Sequence, residues 1–300
     1  MLEEQIRRRN PNAEKPVLIF EQQKSASESD MLFGAIRDTF DGLVRMNAQS
    51  KREATPLSEL RVGLKCGGSD GFSGLTANPV LGHVSDLLVA LGGTTILSEF
   101  PELCGVEQEL IDRCVDDTVA GRFIQLMNEY AARAKAVRAA FDMNPSPGNI
   151  RDGLITDAMK SAGAAKKGGT APVSAVIDYP EYTQSKGLHL QCTPGNDVEC
   201  VTAQVGAGAN IVLFTTGLGT PTGNPIAPVV KVSTNTDLAR RMSDIIDFDT
   251  GVILEGKLSL ADSAEQLLEH VLKVASGEAR TKAESLRQDD FIPWKRGVSL

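Results

Sequence analysis

Residues 61–98 read RVGLKCGGSDGFSGLTANPVLGHVSDLLVALGGTTILS. Arg61-Val-Gly-Leu64 is short, apolar and strand-like. Cys66 to Gly71 is a loop of small residues, and from Pro79 to Leu91 the residues Val80, Leu81, Val84, Leu87 and Leu88 recur at helical spacing. Gly92-Gly93 stops that helix, glycine being the residue that most readily takes the left-handed backbone of a helix end. Thr94 to Ser98 is again strand-like. Strand, glycine loop, helix and strand make a βαβ unit, which predicts an α/β fold: a mostly parallel sheet flanked by helices, with right-handed crossovers and glycine-rich loops at the strand carboxyl ends.

The rest of the chain repeats that alternation. Upstream, Pro16-Val-Leu-Ile-Phe20 is a strand candidate. Apolar residues from Leu32 to Met46 predict a helix over 29–52, capped by Ser29 or Asp30. Thr55-Pro-Leu-Ser-Glu59 reads as a linker, placing a domain boundary near residue 57. Downstream, a helical stretch over 105–141 broken near Asp116-Asp117 precedes a loop at 144–149 and a short helix over 155–164. Strands are expected at 173–177, 187–191, 210–214 and 229–233, with residues 201–205 ambiguous. An amphipathic helix over 261–275 closes the domain.

Composition narrows the function. The 31 basic residues are scattered and outnumbered by 39 acidic ones, for a net charge of −8. This excludes the basic face of a nucleic-acid binder, and aromatic residues at 5% are too few for base-stacking platforms. No apolar run is long enough to span a membrane. Five cysteines without a CxxC pair fit free thiols in a reducing, cytoplasmic setting.

Chemistry concentrates in three small-residue loops. In Cys66 to Pro79, four glycines let the backbone approach a ligand, while Ser69, Asp70, Ser73, Thr76 and Asn78 supply hydroxyl, carboxylate and amide groups. The loop joins a strand end to a helix start, where free N–H groups favour a carboxylate or phosphate. It reads equally as a tight structural turn. Cys66 reads as metal ligand, nucleophile or small buried residue. His83, His189 and His270 make no local dyad with it and no zinc spacing. The second is Asn144 to Asn149 with the later Lys166-Lys-Gly-Gly-Thr170, whose two lysines could hold a carboxylate but read first as a solvated turn. The third, Thr215 to Pro225, holds Thr215, Thr216, Thr220 and Asn224 just past a buried strand, where α/β sheets bind ligands.

Together CGGSDGFSGLTANP from Cys66, GGTTILSE from Gly92, NPSPGN from Asn144, KGGT from Lys167, TPG from Thr193 and FTTGLGTPTGNPIAPVVKVSTNT from Phe214 resemble the carboxy-terminal region of the altronate and galactarate dehydratase family. Their order and spacing match from about residue 34 onward, and the third loop with Phe291-Ile-Pro-Trp294 is nearer the altronate branch. The resemblance implies a hydro-lyase acting on a sugar acid. The proton beside the carboxylate is abstracted, the neighbouring hydroxyl leaves, and the product ketonises to a 2-keto-3-deoxy acid. It implies a divalent metal, iron(II), with Cys66 and Asp70 as metal ligands or catalytic groups and Glu99 as acid or base. Ser69, Ser73, Thr76, Asn78, Thr215, Thr216, Thr220 and Asn224 are the implied substrate contacts. Residues 1–57 would be the truncated tail of an upstream α/β domain, and 58–300 the catalytic α/β domain. The chain is then a fragment, or the large partner of a small amino-terminal-domain subunit, with homo-oligomerisation left open. Within the resemblance stand galactarate dehydratase and the large subunit of a sulfolactate sulfo-lyase; outside it stands a sugar-acid-binding subunit with an incomplete site.

Overall fold

The computed structural model describes residues 2–12, 15, 17–141 and 144–295. The chain divides into two compact units, Met1–Ala54 and Thr55–Leu300.

The first unit is helical: α1 (Leu2–Arg9) and α2 (Glu28–Gln49). The Ser27 hydroxyl caps α2 by accepting from the Asp30 N–H at 3.1 Å, so the cap lies two residues before Ser29. Residues 17–20 form no strand, and Pro16 lies outside the described residues. The apolar run meets no neighbouring strand in this unit, and an unpaired strand would leave its backbone groups unmatched.

The second unit opens with β1 (Arg61–Cys66), α3 (Ala77–Ala90) and β2 (Thr94–Leu97). There follow α4 (Glu107–Asp112), α5 (Asp117–Ala136), α6 (Pro147–Arg151), α7 (Asp157–Ala165), β3 (Val173–Ile177) and β4 (Gly187–Gln191). The chain then continues through α8 (Asp197–Gly206), β5 (Ile211–Thr216), β6 (Val229–Ser233), α9 (Thr236–Arg241), β7 (Phe248–Asp249), α10 (Leu260–Ser276) and α11 (Lys282–Ser285). Residues 201–205 resolve as part of α8. Asn196 starts that helix, its side chain accepting from Val198 and Glu199 N–H.

The seven strands among the described residues are all parallel, in the order β3-β4-β2-β1-β5-β6-β7. The chain runs one way from β1 to β2 and the other way from β5 to β6. The strand order therefore reverses between β1 and β5, and the loops leaving their carboxyl ends diverge to leave a crevice. Both strands are apolar-rich and covered on two faces, as buried parallel strands require. One face packs Leu64, Leu213, Val230 and Val232 against Val80, Leu81 and Val84 of α3 and Leu267 and Val271 of α10. The opposite face packs Ile96, Val212 and Phe214 against Val201 of α8. Each such side chain contributes ~1.5–3 kcal/mol by leaving water, so this core fixes the two strand ends that carry the site.

Candidate active site

The first strand continues two residues past Leu64, and those two residues build the site. Lys65 and Cys66 are both buried, at 0% and 3% exposure. A lysine here must find counter-charges, because an isolated ammonium inside a protein is costly. Lys65 Nζ contacts Glu99 Oε1 and lies 2.8 Å from Asp197 Oδ1. It also donates to the Cys66 carbonyl at 2.6 Å.

Glu99 leaves β2 with a left-handed backbone, φ 71°, and turns its carboxylate back under β1. A positive φ is uncommon away from glycine and tends to be held in place by its surroundings at functional sites. Here the Glu99 N–H donates to Thr193 Oγ1 at 3.0 Å. Glu99 Oε2 accepts from Lys167 Nζ at 2.9 Å and from the Cys66 N–H at 3.3 Å.

Cys66 closes the group. Its thiol donates to Glu102 Oε2 at 3.2 Å, and Lys167 Nζ donates to its sulfur at 2.6 Å. Glu102 in turn pairs with Lys160 at 3.1 Å. Two buried ammonium groups, Lys65 and Lys167, and the part-buried Lys160 thus face three carboxylates, Glu99, Glu102 and Asp197. Burial and the Glu102 charge push the Cys66 thiol well above its ordinary range, against the pull of Lys167. Burial disfavours the charge on Lys167 and on Lys65, but for Lys167 the Cys66, Glu99 and Glu102 charges outweigh it. For Lys65 the Glu99 and Asp197 charges do so, and both groups titrate above the usual lysine range. Glu102 is likewise penalised by burial, yet Lys160, Lys167 and Lys65 bring it down to about 2.

Cys66 Sγ and one carboxylate oxygen each of Glu99 and Glu102 lie within 4.8 Å of one another, a group that could hold a metal ion. The residues fit a divalent cation on two counts. A thiolate with two carboxylates is a donor set suited to a transition metal such as iron(II). The Lys167 ammonium, touching two of the three donors, shows that they converge on a positive charge.

Asp70 is not among these donors. Its Oδ1 accepts from the Ser73 hydroxyl at 3.0 Å and the Phe72 N–H at 3.1 Å, and its Oδ2 from Thr234 Oγ1 at 2.8 Å and Asn235 at 3.2 Å. It ties the loop after β1 to the loop after β6, against Gly217, where any Cβ would collide with its carboxylate.

The other expected contacts divide in the same way. Thr76 donates to the Thr234 carbonyl at 2.8 Å. Asn78 accepts from Thr215 Oγ1 at 2.7 Å and donates to the Gly163 carbonyl at 3.0 Å, joining α3 to β5 and α7. Thr216 Oγ1 accepts from Gly219 and Thr220 N–H at 2.9 and 3.1 Å, and so curls the loop after β5 over Gly68. Ser69 is buried, its carbonyl accepting from Asn149 at 2.8 Å. Asn224 accepts from Ile226 and Ala227 N–H through Oδ1. The structure therefore brings Cys66 and Glu99 together at the centre; Ser69, Ser73, Thr76, Thr220 and Asn224 lie in the loops that frame it, Thr215 and Thr216 at the end of β5, and Asn78 in the first turn of α3.

Three participants were not singled out from sequence: Lys65, Glu102 and Lys160. The turn at Lys166-Lys167 is solvated only at Lys166; Lys167 is 1% exposed. A lysine inside an otherwise apolar buried strand, as at Lys65, was the available signal for a buried carboxylate partner. His189 lies in β4 bonded to Ser185 and to the Gly187 carbonyl, away from this group.

A family model described as D-galactarate/Altronate dehydratase, C-terminal, matches residues 57–299. The chain is 44% identical over 250 residues to the altronate dehydratase of Bacillus subtilis (strain 168), covering 83% of this chain and 50% of that protein. It is 40% identical over 258 residues to the altronate dehydratase of Escherichia coli (strain K12), covering 86% and 52%. Against the L-threo-forming galactarate dehydratase of the same organism it is 39% identical over 233 residues, covering 78% and 45%. The chain spans about half the length of these curated relatives.

Proposed function

Because the chain belongs to the D-galactarate/altronate dehydratase family through its C-terminal domain, we propose that it carries the reaction centre of a sugar-acid dehydratase, a carbon–oxygen lyase acting on altronate. The observation that carries this reading is the buried Cys66–Glu99–Glu102 group with Lys65 and Lys167 on it, set at the carboxyl edge of β1 under loops dense in hydroxyl and amide groups. Dehydration beside a carboxylate needs a base for a weakly acidic carbon-bound proton, an acid for the departing hydroxide, and stabilisation of the enolate charge between them.

Glu99 and Lys167, 2.9 Å apart, are assigned the proton transfers. Glu99 accepts the proton from the carbon beside the carboxylate. Lys167, held charged by its neighbours, protonates the departing hydroxyl, and the Glu99–Lys167 contact returns the proton. Lys65 holds Glu99 in place and spreads positive charge under the site. A divalent cation, iron(II) being the expected one, would be held by Cys66, Glu99 and Glu102 and would supply Lewis-acid stabilisation of the enolate. Thr220 and Asn224 are assigned to the substrate hydroxyls. The amino-terminal portion that the relatives carry, as part of one chain or as a separate subunit, completes the site.

The test is turnover of altronate by iron-loaded, anaerobic protein, with the amino-terminal portion of a relative supplied, read as formation of a 2-keto-3-deoxy acid. Formation above the level given by that portion alone supports the reading. Its absence under those conditions refutes it.

A further inference from the structure

Lys167 reaches the centre from a short turn, Lys166–Gly168, that follows α7 directly and runs on to β3. Such a turn has no strand ladder or long helix to hold its backbone. Yet it carries a buried ammonium that meets Cys66 Sγ at 2.6 Å and Glu99 Oε2 at 2.9 Å. The hold comes from two charged side chains on other elements.

Asp86 of α3 takes the amide side of the turn. Its Oδ1 accepts from the N–H groups of Thr170 and Ala171 at 2.8 and 2.9 Å, and its Oδ2 from the Thr170 hydroxyl at 2.9 Å. Arg113, the residue that ends α4, takes the carbonyl side. Its Nη2 donates to the Gly168 carbonyl at 3.2 Å and to the Ala171 carbonyl at 2.8 Å. Hydrogen bonds to an ionised group are about twice as strong as neutral ones, so this backbone is held more firmly than a turn holds itself.

The fit leaves no slack. Gly82 and Asp86 stand four residues apart and so share one face of α3. A Cβ at Gly82 would collide with the Lys166 carbonyl. One at Gly169, whose φ is 60°, would collide with Asp86 and the Gly82 carbonyl. One at Gly168 would stand 3.0 Å from Leu97 Cδ2 of β2. The turn is therefore pressed between α3 and the sheet, with Lys166 and Thr170 exposed and Lys167 buried.

We propose that Asp86 and Arg113 are positioning residues for Lys167. An anion on the amides and a cation on the carbonyls of residues 168–171 fix the turn, and the turn aims the ammonium at Cys66 and Glu99. The effect on catalysis rests on the sugar-acid reading above, which makes Lys167 the acid.

The test uses the full chain carrying isotope-labelled lysine, and its Asp86→Ala, Asp86→Asn and Arg113→Ala variants. The Lys167 ammonium resonance, assigned by its loss in Lys167→Met, is expected to move in both alanine variants while the circular dichroism spectrum persists. Asp86→Asn keeps an oxygen for the two N–H groups and is expected to restore most of the wild-type position. Thr170→Ala removes the hydroxyl alone and gives the same reading, with a smaller shift, if Asp86→Ala does not fold. In turnover with the amino-terminal portion supplied, Asp86→Ala is expected to lower kcat by about tenfold or more and to leave KM within about twofold, since misplacing a reacting group by about 1 Å can cost ~10²-fold. On a Lys167→Met background the same substitution is expected to cost nothing further, because both act through one group. An unmoved Lys167 resonance, a kcat unchanged by Asp86→Ala, or one lowered equally with and without Lys167 overturns the assignment. A moved resonance with no turnover by any protein, the wild type included, upholds the positioning and refutes the dehydratase reading instead.

Discussion

Replacing Lys65 by methionine removes the ammonium that joins Glu99 to Asp197 and leaves the volume of the side chain nearly unchanged. Breaking a buried ion pair from one side costs ~3–5 kcal/mol, because the surviving charge stays in a poorly solvating place. The geometry selects the lower end of that range. Glu99 keeps Lys167 at 2.9 Å, and Asp197, 28% exposed, can be rehydrated. A loss of ~3 kcal/mol lowers the midpoint of thermal unfolding by roughly 6–12 °C in a unit of this size. The companion variant Lys65→Met/Glu99→Gln removes the stranded charge as well. It should recover at least half of the loss, whereas two independent substitutions would add. Differential scanning calorimetry of wild type, both single variants and the double variant measures this cycle. A single-variant loss below about 1 kcal/mol, or a double variant less stable than either single one, would show that Lys65 does not hold Glu99 and would remove the electrostatic basis of the site.

Three further outcomes are expected. Cys66→Ser should lower bound divalent cation, measured by elemental analysis after iron loading, together with turnover, while the circular dichroism spectrum persists; unchanged cation content would take Cys66 out of the donor set. Glu102 titrates lower in the folded protein than free, so its stabilisation is complete above its ordinary range and fades as pH falls from about 4.5 to about 2. It is worth roughly 3 kcal/mol, and denaturant titrations of Glu102→Gln should lack that acid-side decline. Lys231, depressed to about 7, gives the opposite pattern: below that pH both states bind the proton and the penalty is complete. From about pH 7 to 10 only the unfolded chain binds it, so stability rises with pH by up to roughly 5 kcal/mol, a rise that Lys231→Met should abolish.

Local sequence pattern located six of the seven strands, missing only the two-residue edge strand β7. The βαβ unit at residues 61–98 set the parallel arrangement, and the strands at 173–177, 187–191 and 229–233 fall at their expected positions, the first and last because their β-branched runs are bounded by turn residues. Residues 16–20 carry the same local signal, yet 17–20 remain irregular, since a strand exists only where a neighbour accepts its backbone bonds. The loops that frame the site were visible as clusters of glycine, threonine and asparagine, and so was Cys66. What local pattern could not show is which charges meet. Glu99 and Cys66 are 33 positions apart and Lys167 is 101 from Cys66, so their contact depends on the strand order and on the αL turn at Glu99. Lys65 fell outside the expected strand because a charged residue ends an apolar run on paper. Inside the fold the same residue is what a buried carboxylate requires.

The most direct test of the central claim is turnover of altronate in deuterium oxide, followed by mass and NMR analysis of the product, for the wild type and for Lys167→Met. Abstraction at the carbon beside the carboxylate, loss of the neighbouring hydroxyl and ketonisation predict a 2-keto-3-deoxy acid with one solvent deuterium at the deoxy carbon. They also predict a loss of kcat of ~10²-fold or more in Lys167→Met, the scale of one general acid or base. A product without solvent deuterium, or a Lys167→Met variant as fast as the wild type, would contradict the account.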